Sequence, residues 1–358
     1  MEATPHLRKG WTTGACATAA ARAAFAALCD QDFPDPVTIT LPGGQTPAFA
    51  LALTEREKDF ARAGVVKDAG DDPDVTHGAT LIATLRWTAP GTGVTFAAGE
   101  GVGTVTRPGL PLPPGEPAIN PMPREMIRAN LQAEAALQNR TADVNVEISI
   151  PSGEKIAART LNARLGILGG LSILGTTGIV TPFSCSAWIA SIHRGIDVAR
   201  AMGLTTLAGA TGSTSEAAVK QLLGLPEEAL IDMGDFVGGM LKYLHKNPVP
   251  RVAVAGGMAK MTKLAQGLLD LHSKRGQVDL DFLAGFGGGA ASDIRNANSA
   301  KHAFEIADAA GIDLAGPVAE AAWHTAAKSL RTNCALNLIV FDRDGRLLAQ
   351  TGFRAIPD

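Results

Sequence analysis

The sequence predicts a chain of two domains: an α+β domain over residues 1–160, followed by an α/β domain over 161–358 with a mostly parallel, helix-covered sheet. Three observations carry this. At 358 residues the chain exceeds what a single hydrophobic core usually serves. Its first half sets short alternating runs around two helical stretches. From about Leu165 the rhythm changes to short apolar runs separated by helical segments, the pattern of successive βαβ units. Composition agrees with packed cores, because 46% of residues are hydrophobic and 19% charged, while 40 glycines and 21 prolines imply many tight turns.

In chain order, GACATAAARAAFAAL (14–28) consists almost wholly of strong helix formers, with Thr12 or Thr13 placed to cap its first turn. VTITLPGGQTPAFALAL then alternates around a Pro-Gly-Gly turn, and strands are expected at ARAGVVK, ATLIATL and GVTFAAG. A proline-rich loop leads into a helix from Arg124 to Leu137 and a strand at DVNVEISI. In the second half the strand candidates are GILGGL, TTLAGA, EALIDM, RVAVAG and DLDFLAG. The intervening helices are SCSAWIASIHRGIDVARAM, STSEAAVKQLL, DFVGGMLKYLHK and KMTKLAQGLLDLH. ALNLIVFDRDGRLLAQTGF reads as a hairpin turning at Asp344-Gly345, able to pack on either half.

Several function classes lose support at once. A net charge of −3 offers no basic excess for a nucleic-acid backbone. The start lacks an apolar signal region and no stretch is apolar enough for a membrane span, so a cytoplasmic protein is expected. Cys16, Cys29, Cys185 and Cys334 are scattered without a CxxC pair and read as reduced thiols. No GxSxG elbow or Ser-His-Asp order points to covalent catalysis. His193 and His324 stand in helical segments without a second donor at i+4 and read as structural or surface residues, not ligands.

Four stretches can carry chemistry. GILGGLSILGTTGIVTP (166–182) holds Gly169, Gly170 and Gly175 beside Thr176 and Thr177. It lacks the lysine of a phosphate-binding P-loop and the GxGxxG of a dinucleotide site. It is either a ligand loop leading through Thr181, Ser184 and Ser186 to a helix N-terminus, or a device for close packing. KDAGDDPDVTHG (67–78) crowds Asp68, Asp71, Asp72 and Asp74 between Lys67 and His77, a cation site or a self-capping loop. GEGVGTVTRPGLPLPPGEPAINP (99–121) alternates Gly99, Gly101 and Gly103 ahead of Arg107. Such spacing admits a flat ligand or another backbone, and the arginine offers a fork for a carboxylate. LRKGWTTGA (7–15) sets Arg8, Lys9, Thr12 and Thr13 at the start of the alanine-rich helix, an anion site or a capped helix end. In the second half AGATGSTSEAA carries a Ser213-to-Glu216 capping box, IDMGDFVGG places Asp232 and Asp235 after a strand, and AGGMAKM and AGFGGGA follow later strands. Loops at the carboxyl ends of parallel strands are where such sheets bind ligands.

Taken together, LRKGWTTGACATAAA (7–21), VVKDAGDDPDVTHG (65–78), GEGVGTVTRPGLP (99–111), GGLSILGTTGIVTPFS (169–184), GDFVGG and AGGMAKMTKLA resemble the CbiD family of cobalt-precorrin-5B C(1)-methyltransferases of anaerobic cobalamin biosynthesis. The segments run in order to about residue 265. AKMTKLA departs where a further glycine is expected before the lysine, and Trp11 stands where a tyrosine is also common. The resemblance implies a CbiD-like two-domain fold and S-adenosylmethionine as methyl donor. It also implies a small-molecule corrinoid substrate methylated at ring carbon 1 to give cobalt-precorrin-6A, with cobalt present only as part of that substrate. Positioning supplies much of such a methyl transfer, which needs no protein nucleophile. On this reading Gly169, Gly170, Gly175, Thr176, Thr177, Asp232 and Asp235 hold the cofactor. Arg8, Lys9, Thr12, Thr13, Lys67, His77 and Arg107 hold the carboxylate-edged macrocycle. A nicotinamide-dependent oxidoreductase and a non-catalytic corrinoid-binding protein are the alternatives, and the oligomeric state stays open, a homodimer included.

Overall fold

A computed structural model describes residues 7–357. The chain is mixed α/β with several sheets and divides into two compact units, Met1–Ser184 and Cys185–Asp358. The boundary expected near residue 160 lies inside the first unit, because residues 161–184 pair with that unit's own strands.

Unit 1 is built on a five-stranded sheet. Its strands are β4 (Leu53–Arg56), β5 (Ala61–Val66), β6 (Thr80–Trp87), β9 (Val144–Ser149) and β7 (Val94–Ala98) in spatial order, with β9 and β7 parallel and the rest antiparallel. Helix α1 (Thr13–Leu28) lies on it, packed also against α2 (Pro121–Leu137). Every residue of α1 except Arg22 is buried. A helix of alanines, apolar all round, has no solvent face to offer and belongs inside, where small side chains let it lie close to both sheet and helix. Arg22 pairs with Glu134 of α2 at 3.0 Å. Thr12 caps α1 by accepting from Ala15 N at 3.1 Å, and Asn120 precedes α2, whose prolines occupy the first turn, where a missing N–H costs nothing. A small hairpin, β2 (Val37–Thr38) with β3 (Ala48–Phe49), and a short helix α3 (Gly153–Ala157) complete the periphery.

Two further pairings organise the loops. β1 (Gly10–Trp11) runs antiparallel to β11 (Ile179–Val180), and β8 (Thr104–Val105) antiparallel to β10 (Ile167–Leu168). The GILGGL run therefore gives a two-residue strand of unit 1 and not a strand of the second sheet.

In unit 2, β13 (Leu230–Asp232), β12 (Thr206–Ala210), β14 (Arg251–Gly257) and β15 (Ala335–Phe341) pair in parallel in that order. The hairpin strand β16 (Leu347–Gln350) and β17 (Arg354–Ala355) add antiparallel to β15. Alternate residues face opposite ways along a strand. Ala208, Leu230, Ala253, Ala255 and Ile339 pack with Val219 of α5 (Ser213–Leu223) on one face. Leu207, Ile231, Val252, Val254 and Leu338 pack on the other with α4 (Cys185–Ala201), α6 (Val237–Lys246), α7 (Met258–Ala265), α10 (Ala300–Ala309) and α11 (Ala315–Leu330). Two short helices, α8 (Leu280–Ala284) and α9 (Ala291–Arg295), lie between α7 and α10 in sequence.

Three local expectations are corrected. DLDFLAG is helical because the Asp279 carboxylate accepts from Asp281 N and Phe282 N and so nucleates a turn. The helix at KMTKLAQGLLDLH stops at Ala265, ahead of Gly267 at φ +96°. The residue before α5 is Gly212 with no side-chain cap, so Ser213 is not the capping residue.

Candidate functional site

In unit 1 the N-terminal segment, the acidic loop and the glycine stretch are stitched together by backbone. Trp11 N donates to Asp68 O at 2.7 Å, Thr12 N to Gly178 O at 3.0 Å, and Gly14 N to Leu174 O at 2.8 Å. Thr13 Oγ1 accepts from Leu174 N at 2.8 Å. The hydroxyls and first amides that made the start of α1 an anion-site candidate thus serve their own chain. Thr12 caps, Thr13 and Gly14 hold Leu174, and Ala15 N is taken by Thr12.

The glycines explain the closeness. A Cβ on Gly10 would stand 2.0 Å from the Ala69 carbonyl carbon, and one on Gly70 2.2 Å from Arg8 O, so the two segments cross with no room for a side chain. Within 166–182, a Cβ on Gly170 would stand 2.2 Å from Gly101 O, and one on Gly175 2.3 Å from Thr12 Oγ1; Gly169 alone of the three, at φ +84°, faces open space. The alternating glycines of the third stretch meet protein too. Gly99 meets Ser149, Gly101 meets Ile150 O, and Gly103 meets Ile167 and Gly170 O. Another backbone, and not a flat ligand, lies against that strand.

The aspartates of the acidic loop brace these crossings. The Arg8 guanidinium forks onto both oxygens of Asp68, and Arg8 N donates to Asp71 Oδ2 at 2.6 Å. Asp72 Oδ1 accepts from Phe183 N at 2.8 Å. Asp74 accepts from Lys67 Nζ at 2.6 Å through one oxygen and from Thr76 N and Oγ1 through the other. The Arg8 hydrogen bond, with a smaller contribution from Gly70 N, holds the Asp68 carboxyl down to about 2. Burial by itself would raise Asp74; its bonds to Lys67 and Thr76 outweigh that and hold it below the usual range. Among the described residues no group of three or more His, Cys, Asp or Glu is arranged to hold a metal ion.

The residues assigned to the macrocycle therefore divide. Lys67 is only 1% exposed and locked on Asp74, so it does not reach a ligand. His77 Nδ1 accepts from Ala69 N at 3.1 Å, so the ring is tied to the loop's own backbone. Arg107 Nη1 donates to Arg164 O at 3.0 Å, its stem lying over Gly166. Lys9 is exposed, as are Gly169, Thr176 and Thr177, with Leu168 and Leu174 exposed on the same stretch. Burial pushes the Cys16 thiol up to about 12, which leaves it inert.

Asp232 and Asp235 belong to unit 2, so the residues assigned to the cofactor fall in separate units. Asp232 ends β13 and its carbonyl accepts from Trp188 Nε1 at 3.2 Å. Asp235 follows in the next loop, where Oδ1 lies 3.1 Å from Lys260 Nζ of α7. The same ammonium donates to Thr211 O, just after β12, at 2.7 Å. One lysine thus ties together the carboxyl ends of three parallel strands. Neither Thr211 nor Lys260 is among the residues that sequence reasoning singles out. The available signal is a lysine three positions beyond Gly257, in a glycine-bearing loop at a strand's end.

The CbiD family model matches residues 1–182, and the model described as CbiD, C-terminal domain, matches residues 270–352. The chain is 62% identical over 353 residues to the cobalt-precorrin-5B C(1)-methyltransferase of Methylorubrum extorquens, covering 97% of this chain and 98% of that one. It is 62% identical over 352 residues to the protein of the same name from Agrobacterium fabrum, covering 96% and 93%. Among solved structures, the cobalamin biosynthesis protein cbiD from Archaeoglobus fulgidus is 29% identical, covering 75% of this chain and 83% of that one, with a TM-score of 0.42.

Proposed function

The chain belongs to the CbiD family, and from that membership we propose that it methylates ring carbon 1 of cobalt-precorrin-5B in cobalamin biosynthesis, giving cobalt-precorrin-6A, with S-adenosylmethionine as donor. The observation that carries the reading is identity of 62% along almost the whole of both chains to a protein of that name, which leaves neither unit unaccounted for. Bound S-adenosylmethionine supplies an electrophilic methyl group on a sulfonium. The protein's part is to hold two ligands in line and exclude water, which needs no nucleophilic side chain. The inert Cys16 and the engaged threonines fit that division of labour.

For the macrocycle, the exposed groups of unit 1 are the best supported contacts. Lys9 offers a cation to a peripheral carboxylate, and Thr176, Thr177 and the open edge at Gly169, expected on the cofactor, are here reassigned to the macrocycle, to which they offer hydroxyls and close approach. Arg8, Thr12, Thr13, Lys67 and Arg107 act behind them as supports.

Incubating the chain with cobalt-precorrin-5B and methyl-labelled S-adenosylmethionine tests the reading. The product should carry one labelled methyl, located at C1 by NMR. Label at another ring carbon, or none under conditions where both ligands bind, would overturn it.

A further inference from the structure

Resting on the reading of the chain as an S-adenosylmethionine-dependent methyltransferase, we propose that the donor is held in unit 2, in the crevice between the carboxyl ends of β12 and β14, with Lys260 and Asp235 on its methionyl head. In an open parallel sheet a crevice forms where neighbouring strands send their outgoing helices to opposite faces. β12 and β14 are such a pair. Strand β12 leads into α5, which packs on the face lined by Ala208 and Ala255, and β14 leads into α7, which packs on the face lined by Leu207 and Val254.

Gly212 follows β12 and Gly257 ends β14, and a Cβ on either would meet nothing within 4 Å. Gly212 is extended at φ 167° and Gly257 has φ −73°, conformations open to any residue. Neither packing nor backbone strain requires glycine here, in contrast to Gly170 and Gly175. What the missing side chains preserve is empty space at the mouth of the crevice.

The floor carries complementary charge. Thr211 O takes one of the three protons on the Lys260 ammonium, leaving two that make no hydrogen bond. Asp235 Oδ1 is buried and makes no hydrogen bond, its approach to Lys260 being an ion pair outside hydrogen-bonding geometry. A buried carboxylate oxygen without a hydrogen bond is costly and calls for compensating positive charge. Lys260 is 37% and Asp235 24% exposed, and since Oδ1 itself is buried, it is the rest of the Asp235 side chain that meets solvent beside Lys260. A cation with two protons to give, beside an anion short of donors, complements an α-amino acid zwitterion. The methionyl carboxylate goes to Lys260 and its ammonium to Asp235, a polarity that a nucleoside without an amino-acid tail cannot satisfy.

Calorimetric titration of the full chain with S-adenosylhomocysteine decides the matter, with adenosine and cobyrinic acid, a cobalt corrinoid edged with carboxylates, titrated in parallel. Gly212→Val should weaken S-adenosylhomocysteine binding at least tenfold with the melting temperature unchanged, since no atom meets the new Cβ. Lys260→Met should do likewise, adenosine should bind far more weakly than S-adenosylhomocysteine, and corrinoid affinity should hold in both variants. Wild-type affinity for S-adenosylhomocysteine in both variants would overturn the site and leave the methyltransferase reading standing. No binding of S-adenosylhomocysteine or S-adenosylmethionine to the wild-type chain would overturn the donor reading, and the site with it.

Discussion

A Cβ placed on Gly175 would stand 2.3 Å from Thr12 Oγ1, the hydroxyl that caps α1. Gly175 is thereby a packing residue of the helix start, and its φ of +126° is one that side chains rarely adopt. Gly175→Val should destabilise unit 1 by about 2–5 kcal/mol, from backbone strain together with displacement of the cap. Gly169→Ala, with its Cβ in open space, should cost about 1 kcal/mol. Urea denaturation of the two variants checks the order; equal midpoints would show that Thr12 yields freely.

Lys67 and Asp74 make a prediction about loop architecture. Asp74→Asn leaves a buried ammonium without its counter-charge and should destabilise by about 3–5 kcal/mol. Lys67→Met combined with Asp74→Asn should recover much of that, since an apolar stem of similar length fills the same space. Thermal melts of the single and double variants read the difference, and a double variant no better than Asp74→Asn alone would argue against it.

The Arg8–Asp68 fork gives a pH dependence of known sign. The folded-state carboxyl titrates at about 2, below the roughly 3.9 of an unfolded aspartate. Its contribution is therefore complete above about pH 4 and vanishes as pH falls through about 2. Solvent screens this exposed pair, so the effect is small. Wild type should exceed Asp68→Asn in melting temperature at pH 7, and the gap should close by pH 2.

Lys9 is exposed in the N-terminal segment beside Arg8, which is engaged by Asp68, and Lys9→Ala should weaken corrinoid binding about ten- to a hundredfold, the loss of one charge-assisted bond. S-adenosylhomocysteine affinity should hardly move. The opposite pattern in paired titrations would exchange the roles of the two units' ligand groups.

Local composition makes much of this legible. The alanine run that becomes α1, the strands at 61–66, 80–87, 94–98 and 144–149, and the final hairpin follow from propensity and alternation. The mixed α/β character follows from strand–helix alternation. The stretch 286–334 gives little signal because its helices α10 and α11 are patterned with alanine, whose small apolar side chain marks a buried face weakly. Lys67 is obscure for a different reason: composition shows a lysine near aspartates but not that Asp74 turns back to meet it seven residues later. The glycine stretch leaves packing and ligand binding equally open, and only the positions of Gly101 and Thr12 decide between them at Gly170 and Gly175.

The pairing of Gly10 with Val180 sets an order of events during synthesis. Gly10–Trp11 can reach the acidic loop early, through Trp11 N to Asp68 O, but it has no strand partner until the ribosome has released residue 180, roughly ten to thirty seconds later at typical elongation rates. Until then the amides that Gly178 and Leu174 will occupy face water, and the edge of the first strand stays open to any passing extended segment. A nascent chain arrested before residue 174 should therefore be a better chaperone client, and a more protease-sensitive one at its N-terminus, than one arrested after residue 184 has cleared the exit tunnel.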